Sequence, residues 1–188
     1  MLVMANRKKN QLARSIPRVQ PSGGRFAIIT SRFNEDITRP MHEAAKKTLE
    51  EHGAELIHEL WVPGAWELPF AAECMADTEE FDALVAIGCV IRGETTHHEH
   101  IGREAAAGLR QVSLTVPIAI GFGLLTTDTL EQAQARAGGE LGNKGIDAAL
   151  SAIEMSKLPR KTFSDTMDDL AADFEEMSDI IPSPRRRR

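Results

Sequence analysis

The chain has 188 residues, 42% of them hydrophobic and 27% charged, and a formal net charge of −6. That length suits one domain of roughly 100–200 residues with some to spare, and the composition excludes a wholly disordered, collagen-like or disulfide-scaffold chain. The longest apolar stretch, Ala83 to Ile91, falls far short of the ~20 residues of a membrane-spanning helix, and the acidic balance argues against a general nucleic-acid binder.

Residues 1–24 carry five bases and no acid, which reads as a basic arm outside the folded domain. Met1 to Met4 precede the basic cluster, the reverse of a secretory signal. An organelle transit segment shares the basic, acid-free start, but there is little serine and no long amphipathic pattern. Phe26 to Thr30 is a short β-branched run and reads as a buried strand. Ser31 to Asn34 is a loop, with Asn34 placed to cap a helix that carries Ile37, Met41, Ala45 and Leu49 at helical spacing and stops at Gly53. Pro40 predicts an irregular or kinked start to that helix. Glu55 to Val62 is a second strand. Pro63 to Pro69 is a loop opening a helix that runs to about Met75.

Asp82 to Gly88 is a third strand, and Gly93 to Thr96 a loop before a helix from His97 to about Val112. Pro117 to Phe122 is a fourth strand. Thr126 to Asp128 opens a helix through Ala137, Gly138-Gly139 interrupts it, and Asn143 to Lys157 is the last helix. Strand–helix units in series require parallel strands with covered faces. The fold class is therefore α/β, a three-layer α/β/α sandwich on a four-stranded parallel sheet, over residues 25–158. Residues 159–188 form a tail, acidic from Asp165 to Asp179 and then basic at Arg185 to Arg188. Phe163, Met167, Leu170, Phe174 and Met177 share one helical face, so an amphipathic helix over 163–177 and a disordered acidic tail are both open.

Cys74 and Cys89 are too few for a disulfide framework, and their spacing fits no metal knuckle. A reducing compartment, the cytoplasm, is expected. Functional groups in such a sheet collect at the carboxyl ends of the strands, here the segments Ser31–Asn34, Pro63–Glu67, Cys89–His97 and Phe122–Thr127. Arg92 to His97 follows a strand and opens a helix, so its backbone N–H groups suit a phosphate, or simply a capped helix start. His97, His98 and His100 do not converge as three metal ligands, because His98 turns away from His97. His97, nearest the turn, suits acid–base work; His98 and His100 read as packing or surface residues. Phe33 and Trp66 are loop aromatics beside Glu67, a slot for a flat heterocycle whose N–H groups the carboxylate accepts, or local packing. Arg136 reads as a surface arginine or a phosphate clamp, and Lys144 with Asp147 as a solvated pair. No Walker loop, G-x-G-x-x-G, G-x-S-x-G or kinase set is present.

Taken together, Ser31-Arg32-Phe33-Asn34, Val62 to Pro69, Gly88 to His97, Gly123 to Thr127, Arg136-Ala137-Gly138, Gly142 to Gly145 and Ala152 to Met155 resemble the lumazine synthase family in order and spacing. The resemblance covers about residues 22 to 158 and implies a flavodoxin-like lumazine synthase fold. It implies a transferase of riboflavin biosynthesis, acting at the penultimate step without cofactor or metal. A ribitylaminouracil condenses with 3,4-dihydroxy-2-butanone 4-phosphate to give 6,7-dimethyl-8-ribityllumazine, phosphate and water. Phe33 then stacks on the pyrimidine, and Ala65, Trp66, Glu67, Cys89, Val90 and Ile91 hold the pyrimidine and ribityl chain. Glu94 and Thr95 bind the phosphate, Glu94 through its backbone N–H. His97 moves the proton. Phe122 and Arg136 come from a neighbouring subunit, and Lys144 and Asp147 stand close behind the site.

The sequence departs from the family pattern in a few places. Trp66 stands where Phe or Tyr is usual, His98 and His100 where aromatics are common, and Glu140 where a base can occur. The resemblance implies a homopentamer; Gly138 to Gly145, with no insertion, is compatible with a 60-subunit icosahedral shell, and both assemblies stay open. Riboflavin synthase is a further partner it suggests; nucleic acid and membrane are not expected as partners. A non-catalytic lumazine- or flavin-binding or shell-forming protein on the same fold is the rival reading. It would keep Phe33 and Trp66 but could lose His97 and Arg136, which are present.

Overall fold

The computed structural model describes residues 23–158. The basic arm up to residue 22 and the tail from 159, including the expected helix at 163–177, lie outside the described residues. Four strands, β1 (Arg25–Ser31), β2 (Leu56–Val62), β3 (Ala83–Ile91) and β4 (Ala119–Thr127), form one parallel sheet in the order β2-β1-β3-β4. Helices α1 (Glu35–Glu51), α2 (Leu68–Ala76), α3 (His97–Thr115), α4 (Leu130–Arg136) and α5 (Lys144–Met155) connect or cover them. A single 3₁₀ turn, Ala65–Glu67, precedes α2.

Alternation along β1 explains the layers. Phe26 and Ile28 face Ile37, Met41 and Leu49 of α1 and Ala148, Ala149 and Ala152 of α5; Ala27 and Ile29 face Leu68 and Ala72 of α2 and Ala105 and Leu109 of α3. Central β1 and β3 are buried almost throughout, whereas edge strand β2 is exposed over much of its length. The three-layer α/β/α sandwich on a four-stranded parallel sheet expected from the sequence is therefore present.

Several boundaries differ from expectation, each for a physical reason. β3 continues through Cys89, Val90 and Ile91 rather than stopping at Gly88. Gly88 is there because a Cβ would lie 2.7 Å from Leu124 and 3.0 Å from Leu68; it permits close packing and does not end the strand. β4 likewise runs on to Thr127. Gly121 in this strand lets α5 approach, since a Cβ there would lie 2.1 Å from the Ala148 carbonyl oxygen. The helix expected from Thr126 begins only at Leu130, with Thr129 as its cap accepting from the Gln132 N–H. Gly138-Gly139 is not a simple interruption: Ala137–Gly139 and Gly142–Asn143 pair as a short antiparallel ribbon, β5 and β6. Pro40 sits inside α1 without ending it.

One feature of α1 carried no sequence signal. His42 is fully buried, with Nδ1 2.8 Å from the Thr30 hydroxyl and Nε2 2.6 Å from the Glu59 carboxylate. Lys46 donates to the other Glu59 oxygen at 2.7 Å. A carboxylate can only accept, so Nε2 carries the proton and Nδ1 accepts from Thr30 in the neutral ring. These bonds from Lys46 and His42 hold the Glu59 carboxyl below its ordinary range. Their contribution to stability is present above that range and fades as acid protonates Glu59.

Among the described residues no helix is long and apolar enough to cross a membrane, and no group of three His, Cys, Asp or Glu side chains could hold a metal ion.

Candidate active site

A cleft of about 340 Å³ opens at the carboxyl ends of β1, β2 and β3. Phe33 from the β1–α1 loop lines it, with Gly64, Ala65 and Trp66 from the turn before α2. Cys89, Val90 and Ile91 from the end of β3 complete that side. Opposite stand Gly93 and Thr95 of the next loop and His97, His98 and Ile101 of α3. Phe33 is 69% exposed and Trp66 57%, so neither ring is spent on the core. Local packing was the alternative reading of these aromatics; the structure buries neither of them in the core.

Backbone bonds explain why Phe33 lies there. The Arg32 N–H donates to the Val62 carbonyl at 2.8 Å and the Phe33 N–H to that of Pro63 at 3.1 Å. The β1–β2 ladder thus continues past the strands and draws Phe33 beside the Pro63–Trp66 turn. Asn34 locks the loop differently from expectation. It holds the cap position of α1 but makes no side-chain cap; its backbone is left-handed at φ 60°, and its amide donates to the Cys89 carbonyl at 2.9 Å. A short amide side chain tolerates that conformation, so the residue type expected for a cap instead straps the loop to β3.

Asn34→Ala is expected to cost about 2 kcal/mol, combining a lost hydrogen bond of about 1 kcal/mol with about 1 kcal/mol for a left-handed non-glycine residue. Asn34→Gly is expected to recover the backbone part. Urea melts of the three proteins check this, and equal midpoints for the Ala and Gly variants would refute the backbone contribution.

The helix-start segment is open to an anion. α3 begins after Thr96 with no side-chain cap, which leaves N–H groups at its positive end without an intrahelical partner. The His97 N–H approaches the Thr95 hydroxyl at 3.4 Å. The Arg92 N–H donates to the Thr127 carbonyl at 2.8 Å, carrying the β3–β4 ladder one residue on. The Arg92 guanidinium faces Asp128 at 3.6 Å on the open surface, a pair of little energetic weight.

Burial pushes the Cys89 thiol up to about 11, so it stays protonated near neutral pH and serves as wall rather than nucleophile. At pH 8 its thiolate fraction is on the order of one part in a thousand. Iodoacetamide is expected to label exposed Cys74 and spare Cys89; mass spectrometry showing equal labelling of both would contradict this.

Of the other expected site residues, Glu67 and Glu94 flank the cleft, whereas Phe122 and Arg136 do not line that of their own chain. Glu67 is half-buried at its margin, with Oε2 only 3.2 Å from where a Gly64 Cβ would stand. Glu94 is exposed on the loop between Gly93 and Thr95. Phe122 is not in a strand-end loop: it is the fourth residue of β4, opposite Ala86, and 53% exposed. It lines a separate groove with Leu109, Leu114 and Ile120 on the outer edge of the sheet. Arg136 ends α4, with Nη1 donating to the Gln132 carbonyl at 2.9 Å.

Lys144 and Asp147 are not a solvated pair. Asp147 is buried, takes the Lys144 ammonium at 2.6 Å, and leaves Oδ1 without a hydrogen bond. Packing of α5 against β4 and α1 buries that carboxylate, which i,i+3 spacing alone does not reveal. His98, read from sequence as packing or surface, lines the cleft as well; His100 is exposed.

Residues 23–160 match the family described as 6,7-dimethyl-8-ribityllumazine synthase. A relative of that same description from Gemmatimonas aurantiaca (strain DSM 14586 / JCM 11422 / NBRC 100505 / T-27) is 50% identical over 138 residues, spanning 72% of this chain and 84% of the relative.

Proposed function

Since the chain belongs to the 6,7-dimethyl-8-ribityllumazine synthase family, a family of transferase enzymes in riboflavin biosynthesis, we propose the following substrates and steps for its cleft. It condenses 5-amino-6-(D-ribitylamino)uracil with 3,4-dihydroxy-2-butanone 4-phosphate, the penultimate step of the pathway. The 5-amino group attacks the ketone and water leaves, giving an imine. Loss of the proton from carbon 3 and of phosphate from carbon 4 of the four-carbon unit leaves an enol, which tautomerises to a methyl ketone. The ribityl-bearing nitrogen then closes the ring on that new carbonyl, and a second water leaves. One lumazine, one phosphate and two waters account for both substrates.

The observation that supports this best is the pairing, in one cleft, of two exposed aromatic rings with an uncapped helix start that carries His97. Phe33 stacks on the pyrimidine. Ala65, Trp66, Glu67, Cys89, Val90 and Ile91 hold the pyrimidine and its ribityl chain. Thr95 and the Glu94 N–H seat the phosphate, where anion binding also favours its departure. His97 shuttles protons, and no cofactor or metal is assigned a part. Holding two reactants together supplies much of the acceleration, since the steps themselves are ordinary amine–carbonyl chemistry.

Phe122 and Arg136 act in the cleft of a neighbouring copy, Phe122 over the ring and Arg136 on the phosphate. Their place away from their own cleft and the exposure of Phe122 support that assignment. The Lys144–Asp147 pair stands behind the site. The active form is then a homo-oligomer, a pentamer or a 60-subunit shell, working in the cytoplasm; association with riboflavin synthase is a further expectation.

The experiment mixes the two substrates with the full chain and follows lumazine absorbance and inorganic phosphate together. Equimolar appearance of both, faster than without protein, is expected. Binding of the heterocycle with no acceleration would replace the enzyme reading with a binding protein.

A further inference from the structure

The triple histidine run of α3 is only partly used by the mechanism above. His98 begins the inward stripe of α3: Ile101, Gly102, Ala105 and Leu109 follow at i+3, i+4, i+7 and i+11, and the last three are buried. His98 is half-buried, while His97 and His100 are exposed. Its Nδ1 lies 3.0 Å from the Thr95 carbonyl oxygen. A carbonyl can only accept, so Nδ1 carries the hydrogen and donates it. Thr95 is therefore held from two sides, its carbonyl by the His98 ring and its hydroxyl by the His97 N–H at 3.4 Å. Thr95, His97 and His98 all line the cleft.

We propose that His98 is a positioning residue for the phosphate substrate: its ring N–H fixes the backbone of Thr95 and, through it, the loop that seats the phosphate. The inference rests on the butanone phosphate reading above. A phenyl ring at this place keeps a flat aromatic side chain, somewhat larger than imidazole, but has no donor for the Thr95 carbonyl. An asparagine keeps one, because its side-chain amide N–H reaches about as far as Nδ1. The loop gains a fixed geometry before substrate arrives, which lowers the ordering cost of binding. The effect should fall on one substrate only, since the pyrimidine side of the cleft is built by Phe33, Ala65 and Trp66, none of which His98 holds.

The test compares the full-length wild type with His98→Phe and His98→Asn, measuring kcat and KM for each substrate. His98→Phe is expected to raise KM for the butanone phosphate about tenfold, the upper range for one hydrogen bond. KM for the pyrimidine should stay within about twofold, and His98→Asn should return within about threefold of wild type. A Phe variant indistinguishable from wild type would overturn the proposal. So would Phe and Asn variants equally impaired, or both KM values rising together, since those outcomes mean ring volume or general distortion.

Inorganic phosphate binding, followed by ³¹P line broadening on the same three proteins, separates the two layers of inference. Wild type that makes no lumazine but binds phosphate more tightly than His98→Phe, with His98→Asn near wild type, would sink the reaction and keep the role of His98. Wild type that binds no phosphate would overturn that role.

Discussion

Arg136→Ala is expected to raise KM for the butanone phosphate by about a hundredfold, the scale of one or two charge-assisted hydrogen bonds at ~1.5–3 kcal/mol each. KM for the pyrimidine should change little. The core domain carries 11 bases against 21 acids over residues 25–158, so the overall field repels a phosphate rather than attracting it. Local groups must supply the attraction. The helix start of α3 offers backbone N–H groups, and in the proposed assembly the guanidinium of a neighbouring copy adds a full positive charge. Among the described residues, the Arg136 side chain bonds only the Gln132 carbonyl, so its removal is expected to leave the fold intact. Arg136→Lys is expected to recover only part of the loss, because an ammonium lacks the planar fork. Initial rates with each substrate varied in turn check this, and an unchanged KM for the phosphate substrate would remove Arg136 from the clamp.

His97→Gln should act on kcat instead, lowering it about ten- to a hundredfold with KM values for both substrates within about threefold. This places the loss at the low end for a general acid–base group. The reason is chemical: imine formation between an aromatic amine and a ketone proceeds without the protein, so positioning carries much of the rate. His97 is exposed at the first residue of α3, reachable from the cleft and from water, as a proton shuttle requires. Initial rates at saturating concentrations of both substrates check this, and an unchanged kcat in the Gln variant would remove His97 from proton transfer.

Much of this was legible in the amino-acid sequence, for identifiable reasons. Four strand–helix units leave a strong pattern, because buried parallel strands such as Ala83–Ile91 are continuously apolar. Loop aromatics off any periodic face, Phe33 and Trp66, announce themselves for the same reason. Strand ends were less legible. Gly88 looks like a terminator until the packing of Leu68 and Leu124 is known, and Phe122 looks like a loop residue until β4 is seen to run five residues beyond it.

Long-range polar contacts were not legible at all. Nothing local in the sequence says that the Asn34 amide meets the Cys89 carbonyl, that His42 joins Thr30 to Glu59, or that Asp147 is buried. Each depends on which elements tertiary packing brings together. His98 shows the same limit. The histidine run was visible, but which of its members turns toward the cleft follows from the inward stripe of α3.

That one chain holds an incomplete site, finished by Phe122 and Arg136 of a neighbour, is the central claim, and complementation tests it most directly. Phe33→Asp removes the stacking ring from the cleft without touching the core, because Phe33 is exposed; Arg136→Ala removes the clamp. With the butanone phosphate near the wild-type KM, each variant alone is expected to form lumazine at a small fraction of the wild-type rate. Co-expressed in equal amounts, they should assemble at random, so that about one quarter of the sites pair an intact cleft with an intact Arg136 and activity returns to about that fraction of wild type. Activity no greater than the mean of the two variants alone would contradict a site shared between copies.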